Sequence, residues 1–304
     1  MLMNISKTRL VLVGLLLLAG VFGQVAPSAT HAAQSAPAGR IAFASDRTGN
    51  FEIFVVNADG TNLVQLTNDP GDDTQPAWSP DGKQIVFVSN RSGDSNLYIM
   101  NADGSDVTRL TTTAAADVFP AWSPDGSVIA FTSYRDASID LYTVKPDGSD
   151  IRRLSTSPAF DGMPSWSPDG KQIAIISGRD GGNDVYLINT DGSGAIRLTN
   201  NQSLNSRPAI SPDGKQIAFT TFTPEGFKIS LMNADGTGQT SLSGPRMGEY
   251  TPSWSPDGAY IVFVSERDGN RELYIMAADG SNDRSLTNSP AEDTDPAWQP
   301  APKQ

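Results

Sequence analysis

From residue 41 onward, apolar residues come in short runs of four to six, each bounded by turn-forming residues, and no run is followed by a helical 3.6-residue pattern. Such spacing predicts an all-β protein built of short strands. The runs repeat. Ser-Pro-Asp-Gly begins at Ser79, Ser123, Ser167, Ser211 and Ser255, every 44 residues. An apolar segment follows each copy, centred on Phe87, Phe131, Ile175, Phe219 and Phe263, with an additional copy at Ile41-Ala42-Phe43. Asp-Gly pairs recur in step at Asp59, Asp103, Asp147, Asp191, Asp235 and Asp279. All five tryptophans share one register, Trp78, Trp122, Trp166, Trp254 and Trp298, and Ile210 takes that place in the remaining unit.

Each of the six units contains four predicted strands. In one unit these are Pro76–Trp78, Ile85–Ser89, Leu97–Met100 and a segment ending Arg109-Leu110-Thr111. Ser-Pro-Asp-Gly reads as a tight turn, because proline presets φ and glycine accepts positive φ. Asn101-Ala102-Asp103-Gly104 reads as a hairpin signal. The second strand is apolar on nearly consecutive positions, so both its faces should be covered, as in radially stacked sheets. Six four-stranded units then form a six-bladed β-propeller. A linear solenoid would need polar capping repeats, and none is present in the sequence. The repeat is entered at a second strand (Ile41) and left on a first strand (Pro296-Ala297-Trp298), so the N- and C-terminal strands should pair and close the ring.

Residues 1–33 read as a signal peptide, 34–40 as a linker and 41–304 as the propeller. Lys7 and Arg9 precede the apolar run Leu10–Phe22, and small residues at cleavage spacing follow at Val21-Phe22-Gly23 and Thr30-His31-Ala32. That run is short for a membrane anchor, which needs about 20 residues. The expectation is export to the periplasm or beyond, as a monomer with no membrane anchor after cleavage.

Composition narrows the chemistry. The formal net charge is −12, and beyond the leader 34 acidic residues face 20 basic ones. Phosphate backbones would be repelled, so nucleic acid is not expected as a partner. There is no cysteine, and the single histidine, His31, lies in the leader. Disulfides, thiolate metal sites, cysteine nucleophiles and histidine general bases are thereby removed. No cofactor, catalytic residue or metal ligand is expected.

The pattern Asp-x-x-Pro-x-Trp-Ser-Pro-Asp-Gly-Lys-x-Ile-Ala-Phe, followed by Ser-x-Arg, Leu-Tyr-x-Met-Asn-Ala-Asp-Gly and Arg-Leu-Thr, resembles the β-propeller repeat of the TolB family over residues 41–300. The resemblance implies a propeller fold and points to periplasmic proteins that bind the peptidoglycan-associated lipoprotein Pal. The same repeat occurs in propellers fused to serine peptidases. This sequence departs from both. Only the leader and linker precede Ile41, where TolB has an α/β domain, and neither a Gly-x-Ser-x-Gly elbow nor a histidine is available for a peptidase. Propeller lyases with histidine-bound metal are disfavoured for the same reason.

Positions repeated in all units should serve the fold, and exposed positions that vary should carry function. Three residues before each blade's proline stand Asp73, Asp117, Asp161, Asn205, Glu249 and Asp293. At the start of innermost strands they would ring the central channel. They could hold a cation such as Ca²⁺ or pair with Arg47, Arg91, Arg135, Arg179 and Arg267. Pairing is favoured, since the unit with Asn205 also has Thr223 at the arginine position. Just before the proline the residues vary: Gln75, Phe119, Met163, Arg207, Thr251 and Asp295, with Phe160, Leu204, Met247 and Tyr250 nearby. Apolar side chains at a loop-lined mouth suggest either a partner surface or a channel plug. The candidate binding residues are therefore Asp73, Asp117, Asp161, Glu249, Asp293, Phe119, Met163, Arg207 and Tyr250. The expected role is a non-catalytic binding or scaffold module that takes an envelope protein segment or a glycan. The alternative is a carboxylate-based carbohydrate-active enzyme at the acidic mouth.

Overall fold

The computed structural model describes residues 37–155, 157–200, 203–242, 244 and 248–301. The expected signal peptide, the first part of the linker and Met247 lie outside them. Among the described residues, 24 strands (β1 to β24 in chain order) form six four-stranded antiparallel sheets, and no helix is long and apolar enough to cross a membrane. The fold is a six-bladed β-propeller. One blade has the order β24-β1-β2-β3, from Asp293–Trp298, Arg40–Ser45, Glu52–Asn57 and Val64–Gln65. The last strand of the chain therefore completes the blade begun by the first, with Ile41 opposite Trp298 and Ser45 opposite Asp293.

Sequence dictates the strands through burial. In β5 (Gln84–Ser89) every residue from Ile85 to Ser89 is buried, because one face packs on each neighbouring blade. Phe43, Phe87, Phe131, Phe219 and Phe263 sit at the centres of these strands and are at most 1% exposed. Each such phenyl ring, fully buried, contributes roughly 1.5–3 kcal/mol. Outermost strands are only two residues long, as in Thr108–Arg109. The Asp-Gly segment is accordingly a wider turn than a two-residue hairpin. Asn101 N–H donates to Ser105 O at 2.9 Å, and Asp103 accepts from the Ser105 N–H and hydroxyl.

The innermost strands, β4 (Asp73–Trp78), β8 (Asp117–Trp122), β12 (Asp161–Trp166), β16 (Leu204–Ile210), β20 (Glu249–Trp254) and β24, line the channel. Tryptophans join consecutive blades. Trp122 Nε1 donates to Ala77 O at 3.2 Å, Trp166 to Ala121 O at 3.1 Å and Trp254 to Ala209 O at 3.0 Å. The unit with Ile210 in this place keeps a link through the Ile210 N–H and Ser165 Oγ at 3.0 Å, a bond that Trp298 N–H also makes to Ser253 Oγ at 3.1 Å.

The candidate binding site at the channel mouth

Every innermost strand breaks register with its neighbour just before its proline, for example between Thr74 and Ala77 and between Val118 and Ala121. The residue at the break has left-handed backbone in all six blades: Gln75 (φ 52), Phe119 (56), Met163 (55), Arg207 (51), Thr251 (54) and Asp295 (51). None is glycine. Non-glycine residues pay a steric penalty in this region, of order 1 kcal/mol. A β-bulge of this kind re-aims its side chain. Here the six side chains and the six prolines that follow line a cavity of about 130 Å³ on the channel axis. Amides freed by the bulge are taken up by the preceding blade. Phe119 N–H donates to Gln75 Oε1, Met163 N–H to Thr132 Oγ1 and Thr251 N–H to Thr220 Oγ1.

Side chains from separate blades meet in this cavity. Arg207 Nη2 donates to Asp295 at 2.8 Å, and its guanidinium lies 4.3 Å from the centre of the Phe119 ring. One arginine thus ties three blades together across the axis. Phe119 and Met163 point inward yet remain partly exposed, and Thr251 Oγ1 is buried without a hydrogen-bond partner. Tyr250, also partly exposed, donates to Glu266 Oε1 at 2.7 Å. Burial, reinforced by that carboxylate, pushes its hydroxyl pKa well above the ordinary tyrosine value. Behind the six bulges the channel widens into a cavity of about 650 Å³, walled by the tryptophans, alanines and prolines of the opposite face.

The acids at the strand starts are not part of the cavity wall. Asp73, Asp117, Asp161 and Asp293 are 0% exposed and Glu249 is 2% exposed. Each pairs with the arginine of its own blade: Asp73 with Arg91 at 2.6 Å, Asp117 with Arg135, Asp161 with Arg179 and Asp293 with Arg47 at 2.9 Å, and Glu249 with Arg267. Each arginine also donates from Nε to a serine, as Arg135 does to Ser133 Oγ at 2.7 Å, and lies over one or two aromatic rings. Instead of ringing the channel as a field of negative charge, the carboxylates are neutralised inside the blades. Among the described residues, no three acidic or histidine side chains converge as they would around a metal ion. In the odd blade Asn205 accepts from Thr221 Oγ1 at 3.2 Å, a neutral pair in place of the charged one.

A second polar set recurs without a motif to mark it. Five third strands open with Glu52, Asn96, Asp140, Asp184 and Glu272, and Lys228, the third residue of the longer strand Gly226–Asn233, takes the equivalent place, again in steps of 44 residues. Glu52 accepts from Thr67 Oγ1 at 2.6 Å and Asp184 from Thr199 Oγ1 at 2.7 Å. Burial raises the Glu52 pKa. Their recurrence could have revealed them, although the mixture of Glu, Asn, Asp and Lys obscures the pattern.

Comparison with known proteins agrees with this architecture. The TolB beta propeller domain matches residues 23–118 and 114–302. TolB from Acinetobacter baumannii has a TM-score of 0.79 at 25% identity, over 88% of this chain and 68% of that one. The structure of putative TolB from Agrobacterium tumefaciens has a TM-score of 0.68 at 24% identity, over 83% of this chain and 90% of that one. A TolB homolog of Chlorobaculum tepidum is 54% identical over 43 residues, which is 14% of this chain and only 10% of that relative. Oligogalacturonate lyase in complex with manganese shares the fold, with a TM-score of 0.55 at 18% identity, over 84% of this chain and 75% of that one. With a repeat, a closed ring and a family match that extends over most of its length, this chain belongs to the TolB β-propeller domain family.

Proposed function

We propose that this chain is a non-catalytic binding module of the cell envelope that receives a segment of a partner protein at the channel mouth. The observation that carries this reading is the ring of six bulged residues. Backbone conformation is the same in all six blades, whereas the side chains are six different residues, Gln, Phe, Met, Arg, Thr and Asp. A fold-serving position would be expected to repeat its side chain, as the neighbouring proline does. Variation at a position held in costly backbone geometry fits selection for an asymmetric surface. Phe119 and Met163 supply apolar contact, Arg207 and Gln75 supply donors, and the cavity admits one side chain of a partner rather than a domain. Tyr250 extends the surface outward. The buried acids Asp73, Asp117, Asp161, Glu249 and Asp293 support it from within, by fixing the loops around the mouth.

Export to the periplasm is part of the proposal. It rests on the apolar N-terminal run and on membership of the TolB propeller family. An enzymatic reading has less support, since the carboxylates that would perform it are all engaged by arginine.

The test is capture from an envelope extract by immobilised protein. Phe119→Ala combined with Arg207→Ala should abolish retention of a partner that the unaltered protein retains. Lys171→Ala on the opposite face, with its side chain 80% exposed, should have no effect. Equal retention by all three proteins would exclude the mouth as the site.

A further inference from the structure

The odd blade differs from the others in more than its missing charges. In five blades the loop between the second and third strands carries the arginine that reaches the buried acid. In this blade the two strands, β17 (Gln216–Thr223) and β18 (Gly226–Asn233), are each eight residues long and joined directly by Pro224 and Glu225. Thr223 pairs with Gly226 and Phe222 with Phe227, so the hairpin carries two phenyl rings outward on the mouth side. Phe222 is 43% and Phe227 44% exposed, and their centroids are 5.0 Å apart. Tyr250 of the next blade meets Phe227 edge-on at 6.0 Å, and exposed Leu204 pairs with Phe222. These four side chains form one apolar strip beside the channel.

The rest of the molecule indicates what such rings lack. Among the described residues, four other aromatic pairs span the second and third strands, and each of these pairs carries an arginine. Arg47 lies 4.9 Å from Phe54, Arg91 5.0 Å from Tyr98, Arg135 4.6 Å from Tyr142 and Arg267 4.1 Å from Tyr274. Among the described residues, no cation lies over Phe222 or Phe227. Among the described residues, the charges at the strip are Glu225 and Lys228, which pair at 3.4 Å, and Arg271, 46% exposed, which contacts Glu266 at 3.4 Å and Glu292 at 3.6 Å and lies 5.8 Å from Tyr250. Glu225 keeps 63% of its side chain exposed and Glu266 45%, while Lys228 keeps only 17%. Open aromatic faces beside exposed carboxylates, on a chain of net charge −12, attract a cation with an apolar stem.

We infer that the strip formed by Leu204, Phe222, Phe227 and Tyr250 is a second docking surface, outside the channel cavity and sharing only Tyr250 with the mouth surface, for an extended basic peptide segment. Arginine or lysine side chains of the segment would cover the two phenyl rings, and its aliphatic side chains would pack on Leu204. The hairpin is then a specialised feature of this blade and not a decayed copy of the repeat.

A fluorescently labelled octapeptide of alternating leucine and arginine is titrated against the protein at low ionic strength, with anisotropy as the readout. Peptides of alternating leucine and glutamate, and chitohexaose as an unlabelled competitor, serve as comparisons. Expected results are binding of the basic peptide, at least tenfold weaker binding by Phe222→Ser/Phe227→Ser at an unchanged melting temperature, and weaker binding by Glu225→Gln. Phe119→Ala/Arg207→Ala should bind this peptide normally, which separates the strip from the channel cavity. Equal affinity of the wild type and the double serine variant overturns the inference, as does equal binding of the acidic peptide or displacement by chitohexaose.

Discussion

Removing Arg135 tests how the mouth is held together. Asp117 has no exposed surface and accepts both contacts of 2.9 Å from Arg135, one of 2.6 Å from Ser133 Oγ and a longer one from Thr113. Arg135 keeps 14% of its side chain exposed and stacks 4.6 Å from Tyr142. Arg135→Ala therefore strands a carboxylate that cannot reach water, a change that costs about 3–5 kcal/mol. Asp117→Ala leaves a guanidinium that can turn toward solvent, so its cost should be smaller, about 2 kcal/mol. For a domain of this size each kcal/mol lowers the melting temperature by roughly 2–4 °C. The arginine variant should melt about 6–20 °C lower than the wild type, and the double variant should lose much less than the sum of the two singles. The odd blade offers the reverse experiment. Asn205 is 1% exposed and donates through Nδ2 to Asn183 O at 3.0 Å. Asn205→Asp would set an unpaired carboxylate against that carbonyl, and should cost at least about 2 kcal/mol. Thermal unfolding followed by circular dichroism, with and without chelator, measures all of these. Additive losses, a loss below about 1 kcal/mol for Arg135→Ala, or a fall in melting temperature on adding chelator would refute the ion-pair account.

Gly192→Ala should destabilise by more than about 2 kcal/mol, seen in urea unfolding, because positive φ is costly for alanine and its Cβ would lie 2.0 Å from Leu154 O at φ +83. Ending the chain at Glu292 removes β24, and with it the pairing of Ala42 with Ala297 and Ala44 with Thr294; cooperative unfolding should be lost, as calorimetry will show. Turn aspartates set the acid response. Hydrogen bonds from Ser123 and from the Ser127 N–H and hydroxyl hold Asp125 at a pKa of about 2, below its ordinary 3.8. A lowered acid favours the folded state above its unfolded pKa, and that contribution disappears as the pH falls from about 4 to 2. The melting-temperature gap between wild type and Asp125→Ala should therefore be constant from pH 7 to about pH 5, narrow from about pH 4 and close only below about pH 2.

The blade plan was legible because its determinants are local and repeated. Proline and glycine mark the turns, Phe87 and its counterparts mark the doubly buried strands, and the tryptophans mark the joints between blades. Closure was legible because the repeat starts and stops out of phase. The bulge was not. Left-handed backbone is usually announced by glycine, and Gln75, Phe119 and Met163 give no such signal; the residue before a proline is in fact biased toward extended backbone. Acid–arginine pairing and the place of the pre-proline residues at the mouth were both legible from the repeat; what was not is that the bulge turns the pre-proline side chains onto the axis while the acids stay buried within the blades. Losses in the odd blade could equally be read from sequence as drift. Only the register of β17 and β18 shows that Thr223 closes a two-residue turn that lifts Phe222 and Phe227 outward.

Photo-crosslinking tests the central claim most directly. Benzoylphenylalanine is placed at Phe119, at Met163, and at Lys171 on the opposite face, and the protein is irradiated in intact cells. The account predicts a discrete protein adduct from positions 119 and 163 and none from 171. Adducts of equal yield from all three positions, or none from the two mouth positions, would contradict it.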